Sequence, residues 1–294
     1  MNFQEKYKII RKIGMGATAS VFVVEDRRRH EQRAVKIIVL SAFQTEQMIL
    51  IRNEIHIMQQ LSIPQAPELI EVIEESDRVY IVMSYIQGMN LRQYIECCGG
   101  LFVKQSTGSV SVGKVTELIS VEKAVGWILE LCRILEQLHS MKPAIIFCDL
   151  KPENIIVQED GTLALVDFGS AFQCMEGVTV SSTPFRTGSE GYAAPELYKE
   201  DSKPDIRADI YSLGAVGKFM LYPFGNIKSV RNSCRRMESV PDLYKKMRLC
   251  RKANRPVDQR KLWRLMERCM EPDKEKRYST SAEIINKLMK NAIS

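Results

Sequence analysis

Ala144-Ile145-Ile146-Phe147-Cys148-Asp149-Leu150-Lys151-Pro152-Glu153-Asn154, followed further on by Asp167-Phe168-Gly169, is the stretch on which the reading of this chain turns. An apolar run, Ala144 to Phe147, leads to an acid on a polar loop, and a second apolar run, Ile155-Ile156-Val157, comes after it. Short runs rich in β-branched residues read as strands. The loop between them carries an acid, a lysine two residues later and an amide five residues later. That set suits phosphoryl transfer. Asp149 would accept a hydroxyl proton, Lys151 would balance charge on a γ-phosphate, and Asn154 would bind magnesium. Ala164-Leu165-Val166 then leads into Asp167, a second hard oxygen ligand at the end of a second short strand. Mg²⁺ takes one or two such oxygens together with substrate phosphates, which this pair offers.

Towards the N-terminus, Ala34-Val35-Lys36 places a lysine in the middle of an apolar strand (33–40). An ammonium there is costly unless it meets an anion. Residues 44–61 read as a helix, with Gln47, Ile51, Glu54, Met58 and Leu61 recurring on one stripe. Glu54 is as misplaced on that stripe as Lys36 is in its strand, so each explains the other as an ion pair aimed into a cleft. Two separate exposed charges are the alternative. Gly14-Met15-Gly16-Ala17-Thr18-Ala19-Ser20-Val21 lies between two predicted strands, 7–13 and 21–25. Glycines there let backbone N–H groups approach phosphates, although an ordinary glycine-containing hairpin reads the same way. No helix opens after it, so it is not a dinucleotide-binding fingerprint.

The rest of the chain fits two lobes. Strands 69–74 and 79–85 complete a β-rich first part, and a short link at 84–88 precedes a helical remainder, with helices at 121–139, 209–221, 262–270 and 281–290. Between Cys98 and Ser120 a Gly/Ser/Thr-rich stretch reads as a surface insertion. At 294 residues with 45% hydrophobic and 27% charged residues, the chain can bury a sizeable core. The net charge of +6 is scattered, and its densest run, Arg27-Arg28-Arg29, reads as a solvated turn rather than a nucleic-acid surface. There is no apolar leader and no run long enough to cross a bilayer. Eight cysteines without CxxC spacing read as free thiols in a reducing cytoplasm rather than a zinc site.

With these motifs in order, the sequence resembles the Hanks-type (eukaryotic-like) serine/threonine protein kinases, in the style of bacterial members, from about Tyr7 to Leu288. The resemblance implies an α+β, bilobal fold over residues 1–294, divided into an N-lobe to about 84, a hinge at 84–88 and a C-lobe beyond. It implies transfer of the ATP γ-phosphate to protein serine or threonine with Mg²⁺, or Mn²⁺ as an alternative. By the same resemblance, Ile13, Val21, Ala34 and Ile156 would sandwich adenine beneath Gly14 to Val21. Met83 would stand at the back of the pocket, and the backbone of Ser84 to Ile86 would bind the adenine edge. Leu69, Met58, Phe168 and Phe147 would stack as a spine. Ala194-Pro195-Glu196 would close the activation segment, Arg277 would pair with Glu196, and Asp209, opening its helix, would brace the catalytic loop. Lys151 beside Pro152 resembles the serine/threonine class. Autophosphorylation would fall on Thr179, Ser181, Ser182, Thr183 or Thr187.

The chain departs from the family pattern where His-Arg-Asp is usual. Phe147 keeps an aromatic group without its hydrogen bonds, and Cys148 removes the cation that would hold an activation-loop phosphate. Ser189 stands where threonine is usual and keeps the hydroxyl, and Ala19 replaces a third glycine. Cys148 reads as an apolar filler rather than a redox sensor. His30, His56 and His139 read as ordinary core or surface residues. Two other functions remain open at this point: a pseudokinase scaffold, and a kinase acting on small molecules. The presence of Lys36, Glu54, Asp149, Asn154 and Asp167 argues against the first, and Ala194-Pro195-Glu196 against the second.

Overall fold

A computed structural model describes residues 2–16, 19–40, 44–98, 119–174, 188–199, 202–221 and 259–293. Ala17, Thr18, the five candidate autophosphorylation residues and nearly all of the Gly/Ser/Thr-rich stretch lie outside them.

The N-terminal part is a five-stranded antiparallel sheet in the order β1-β2-β3-β5-β4, with β1 Tyr7–Met15, β2 Ala19–Asp26, β3 Glu31–Val39, β4 Leu69–Glu74 and β5 Arg78–Ser84. Register decides its two faces, because residues directly opposite each other share a face and neighbours along a strand alternate. Val21 lies opposite Lys36, Lys36 opposite Ile81, and Ala34 opposite Met83. That face joins the main core through Ala34, Ile38, Val79, Ile81 and Met83. The other face carries Val24, Val35, Tyr80 and Val82, and packs under Phe3 and Tyr7. Phe3 belongs to a one-turn helix, α1 Phe3–Lys6, and its ring stacks on Tyr80 with centroids 4.2 Å apart. Covering both faces commits the sheet to one register, since a one-residue slip would turn Lys36 out of the cleft.

Helix α2 (Gln44–Gln60) crosses the inner face and buries Ile51, Ile57 and Met58. A short strand β6 (Met89–Asn90) and helix α3 (Leu91–Cys98) follow the link. The sequence reading missed α3, which has only two turns. The long helix α4 (Val121–His139) keeps the predicted boundaries, with the Ser120 hydroxyl accepting from the Lys123 backbone N–H at its start. It is buried more widely than one stripe, with Trp127, Leu131 and Ile134 inside as well as Ile128 and Leu135. The small strands β7 (Ala144–Ile146), β8 (Ile155–Val157), β9 (Leu163–Leu165) and β10 (Phe172–Cys174) carry the loops that bear the motif residues.

Helix α5 (Arg207–Leu221) begins two residues before the expected Asp209, which correspondingly does not open it. The Asp205 carboxylate accepts the Arg207 backbone N–H at 2.9 Å and starts the helix earlier. Two glycines on α5 allow helix α6 (Gln259–Cys269) to approach closely. A Cβ at Gly214 would lie 2.6 Å from the Cys269 Cβ, and one at Gly217 would lie 2.2 Å from the Met266 sulfur. The last described helix, α7 (Ser281–Ile293), packs on α4.

Candidate active site

Lys36 reaches from β3 to both lobes. Its ammonium donates to Glu54 Oε1 at 2.7 Å and Oε2 at 2.9 Å on α2, and to Asp167 Oδ1 at 2.8 Å beyond β9. The expected ion pair is therefore present, and Asp167 is its third member. Burial works against the ammonium, but the two carboxylates outweigh it and hold the Lys36 pKa above its ordinary value. Asp167 is held below the usual carboxylate range: burial opposes this, and Lys36 together with the Gly169 N–H overcomes it. Two carboxylates against one ammonium leave the cluster with one surplus negative charge. The Asp167 side chain is 50% exposed, so that charge faces the cleft. Gly169 leaves room for this cluster, since a Cβ there would stand 2.9 Å from the Lys36 nitrogen and 3.2 Å from Asp167 Oδ1 and press on their side-chain ends.

Asp149 is 9% exposed at the start of its loop. Its Oδ2 accepts from Lys151 Nζ at 2.6 Å and from Asn154 Nδ2 at 3.0 Å. Asn154 Nδ2 also donates to the Asp149 carbonyl at 2.9 Å, so the amide oxygen is the atom left to act as a ligand. The Ser189 hydroxyl donates to Asp149 Oδ1 at 2.8 Å while accepting from Lys151 Nζ at 2.8 Å. This closed arrangement of Asp149, Lys151 and Ser189 could not be read from the sequence, since Ser189 lies forty positions from Asp149.

The loop is anchored from below by Asp209, which is fully buried on α5. Its carboxylate accepts the backbone N–H groups of Phe147 (2.9 Å) and Cys148 (2.8 Å). It also meets His139 Nε2 at 2.9 Å, so His139 is a core residue that holds the brace. Cys148 and Asp167 both take positive φ, 64° and 66°, a costly conformation for residues with a Cβ. Such strain persists only where surroundings over-determine it. Phe147 and Phe168 meet edge to face at 5.0 Å, and Met58 and Leu69 join them in one core cluster.

The Cys148 side chain fills a small cluster of Ile146, Ala193, Ala194, Leu197 and Ala208. Burial pushes its thiol well above the ordinary value, and the nearby carboxylates of Asp209, Asp149 and Glu196 push the same way. An unreactive filler is the consequence.

Of the residues expected around adenine, Val21, Ala34 and Met83 share the inner face of the sheet. Ala34 (7% exposed) and Met83 (9%) are buried partners across β3 and β5. Val21 sits opposite Lys36, while Ile13 is 41% exposed at the outer edge. Ile156 is half-buried on β8, beneath the link. Gly14 pairs with Val21 and Met15 with Ser20, and the Gly16 N–H donates to the Ala19 carbonyl at 2.8 Å, so the described ends of the glycine segment lie on paired strands. Among the described residues no cluster of three or more His, Cys, Asp or Glu side chains could hold a metal unaided. Asp167 and Asn154 alone fit a magnesium ion only when phosphate oxygens complete its shell.

Glu196 ends the segment that follows Ser189, and Arg277 anchors it. The Arg277 guanidinium meets Glu196 Oε1 at 2.5 Å and Oε2 at 2.7 Å, and its other N–H groups reach the carbonyls of Glu271, Arg207 and Pro272. A profile described as a protein kinase domain matches residues 7–290.

The chain belongs to the protein kinase family.

Three bacterial relatives show how the kinase resemblance extends. A probable serine/threonine-protein kinase CPE1738 from Clostridium perfringens is 30% identical over 97% of this chain and 38% of its own length. A probable serine/threonine-protein kinase PknB from Lactococcus lactis is 28% identical over 82% of this chain and 36% of its own. Serine/threonine-protein kinase PrkC from Bacillus subtilis is 30% identical over 72% and 29% respectively. The chain thus spans well under half the length of these relatives. Among its described residues no helix is long and apolar enough to cross a membrane.

The Arg277 anchor of the kinase fold carries a stability prediction. Arg277 is 2% exposed and Glu196 7%, so Arg277→Met would leave a buried carboxylate without its partner. The expected loss is about 3–5 kcal/mol, read by urea or thermal unfolding. A midpoint unchanged within error would show that Glu196 finds another partner.

Proposed function

We propose that this chain is a serine/threonine protein kinase that transfers the γ-phosphate of ATP to protein hydroxyls. The observation that carries the reading is Lys36 held at once by Glu54 and Asp167, which ties both lobes together at the mouth of one cleft. A scaffold without catalysis has no need of that costly assembly alongside Asp149, Lys151 and Asn154. The anchored Glu196 segment supports protein acceptors over small molecules, because it gives the C-lobe a fixed surface beside Asp149.

In this reading the N-lobe runs to about residue 84 and the C-lobe begins at about 89, with the link between them. Ile13, Val21, Ala34 and Ile156 enclose adenine, Met83 backs it, and the backbone of Ser84 to Ile86 binds its edge. The hairpin from Gly14 to Val21 covers the phosphates, and Lys36 holds them in a pose fixed by Glu54. Magnesium, or manganese in its place, held by Asp167 and Asn154 would neutralise charge on the β- and γ-phosphates. Asp149 orients the acceptor hydroxyl and takes its proton, and Lys151 stabilises charge that develops on the transferred group. Autophosphorylation in the segment before Ser189 belongs to the same proposal. So does a cytoplasmic location, in keeping with the free thiols of Cys97, Cys132, Cys148, Cys174 and Cys269.

The test is transfer of label from γ-labelled ATP to a protein acceptor, with phosphoamino-acid analysis of the product. Label is expected on serine or threonine, and a product of mainly phosphotyrosine would overturn the class. The same assay after phosphatase treatment tests the role of Cys148. Its backbone position is fixed by Asp209, and its surroundings are apolar side chains and carboxylates, so a loop phosphate gains no cation from this residue. Dephosphorylated protein is therefore expected to keep most of its rate. A loss of about tenfold or more, corresponding to roughly 1.4 kcal/mol, would show that another cation takes the part.

A further inference from the structure

Arg92, the second residue of α3, donates from Nε to Glu153 Oε1. Glu153 stands between Asp149 and Asn154 on the loop that carries the base. The same guanidinium donates from Nη2 to the Tyr192 hydroxyl at 3.3 Å and lies over the Phe219 ring at 4.9 Å. Tyr192 is three residues beyond Ser189, whose hydroxyl rests on Asp149. The group therefore lies in the wall beside the place where an acceptor hydroxyl must arrive. Its charges remain within reach of a substrate, with the Arg92 side chain 30% exposed and that of Glu153 40%.

A simple surface ion pair would tie down two flexible side chains and contribute little. This one is held at three points, by Glu153, by Tyr192 and by the face of Phe219, from three separate parts of the chain. A cationic substrate residue seeking Glu153 would have to displace a guanidinium fixed on two other sides. An anionic residue seeking Arg92 would meet Glu153 in the way.

We propose that the Arg92–Glu153 pair is a specificity element of the acceptor site, which cancels two opposite charges and so admits substrates uncharged at the flanking position it touches. Either partner alone imposes a charge preference, and the two preferences have opposite sign. The physical reason is that a lone charge beside a bound peptide discriminates by Coulomb interaction, which a compact pair suppresses. The inference rests on the kinase reading above.

The experiment uses the full chain and a degenerate peptide library with a fixed serine or threonine, and reads the ratio of lysine to glutamate selected at each flanking position. The ratio is internal to each enzyme, so a general loss of rate cancels. Arg92→Met is expected to raise it about fivefold or more at one position, by freeing Glu153. Glu153→Gln is expected to lower it at the same position, and the double variant to return it to the original value. If a single variant does not fold by thermal unfolding, the charge-exchanged pair Arg92→Glu with Glu153→Arg takes its place, and the ratio is again expected to stay near the original. Transfer with ratios unmoved in the single variants, or moved by the exchanged pair, overturns this inference alone. Absence of transfer by the unaltered protein to any peptide overturns both it and the kinase reading.

Discussion

Asp149→Asn is expected to lower kcat by about 10²- to 10⁴-fold, the range for a lost general base, while nucleotide affinity changes little. The substitution keeps the shape of the side chain. An amide oxygen can still accept from Lys151 and Asn154, and the amide nitrogen can turn towards the Ser189 oxygen, so the loop keeps its hydrogen bonds. What is lost is the capacity to take a proton from the acceptor. None of the proposed nucleotide contacts involves the Asp149 side chain, which is why binding and turnover should separate. Single-turnover transfer and nucleotide binding on the same preparation measure both. A variant that retained a comparable rate would remove Asp149 from the role of base.

Asp167→Ala is expected to abolish the extra thermal stabilisation that magnesium adds to ATP. At a ligand concentration a hundred times its dissociation constant, binding stabilises the folded state by about 2.7 kcal/mol, so the magnesium-dependent part should be plainly visible in the unaltered protein. The Asp167 carboxylate is half-exposed to the cleft while one of its oxygens holds Lys36 at 2.8 Å. Its removal deletes the stronger of two proposed metal ligands and the cluster's surplus negative charge. Lys36 and Glu54 would remain as a neutral pair. A smaller shift with ATP alone should persist, because Lys36 still meets phosphate. The same magnesium-dependent shift in the variant would place the metal elsewhere.

Much of this site was legible because the sequence contained misfits that are local. A lysine in an apolar strand and a glutamate on an apolar helical stripe each lacked a partner, and the structure pairs them at 2.7 Å. The α4 boundaries were legible for a similar reason, since Ser120 and the helical period both act within a few residues. The helix α3 was not, because two turns give too short a window for periodicity to speak. Nor did α5 begin where the apolar pattern did, because the Asp205 carboxylate supplies the first turn with its acceptor.

The residues missed share another property: their meaning lies entirely with distant partners. His139 is an unremarkable helix-terminal histidine until Asp209, seventy positions on, comes within 2.9 Å. Ser189 was noted for its hydroxyl, but that this hydroxyl rests on Asp149 shows only in the fold. Arg92 joins Glu153 and Tyr192 across gaps of 61 and 100 positions. Side chains of these types are as common on solvated surfaces, and no period or spacing separates the two cases. By itself the sequence determined the α+β class and singled out Lys36, Glu54, Asp149, Asn154 and Asp167 as candidates, because strand and helix periods, motif spacing and costly misplaced charges are short-range signals. Only the tertiary structure showed that His139 joins Asp209 beneath the loop, that Ser189 and Lys151 close on Asp149 and that Arg92 pairs with Glu153, because those contacts form only when segments remote in sequence pack on one core.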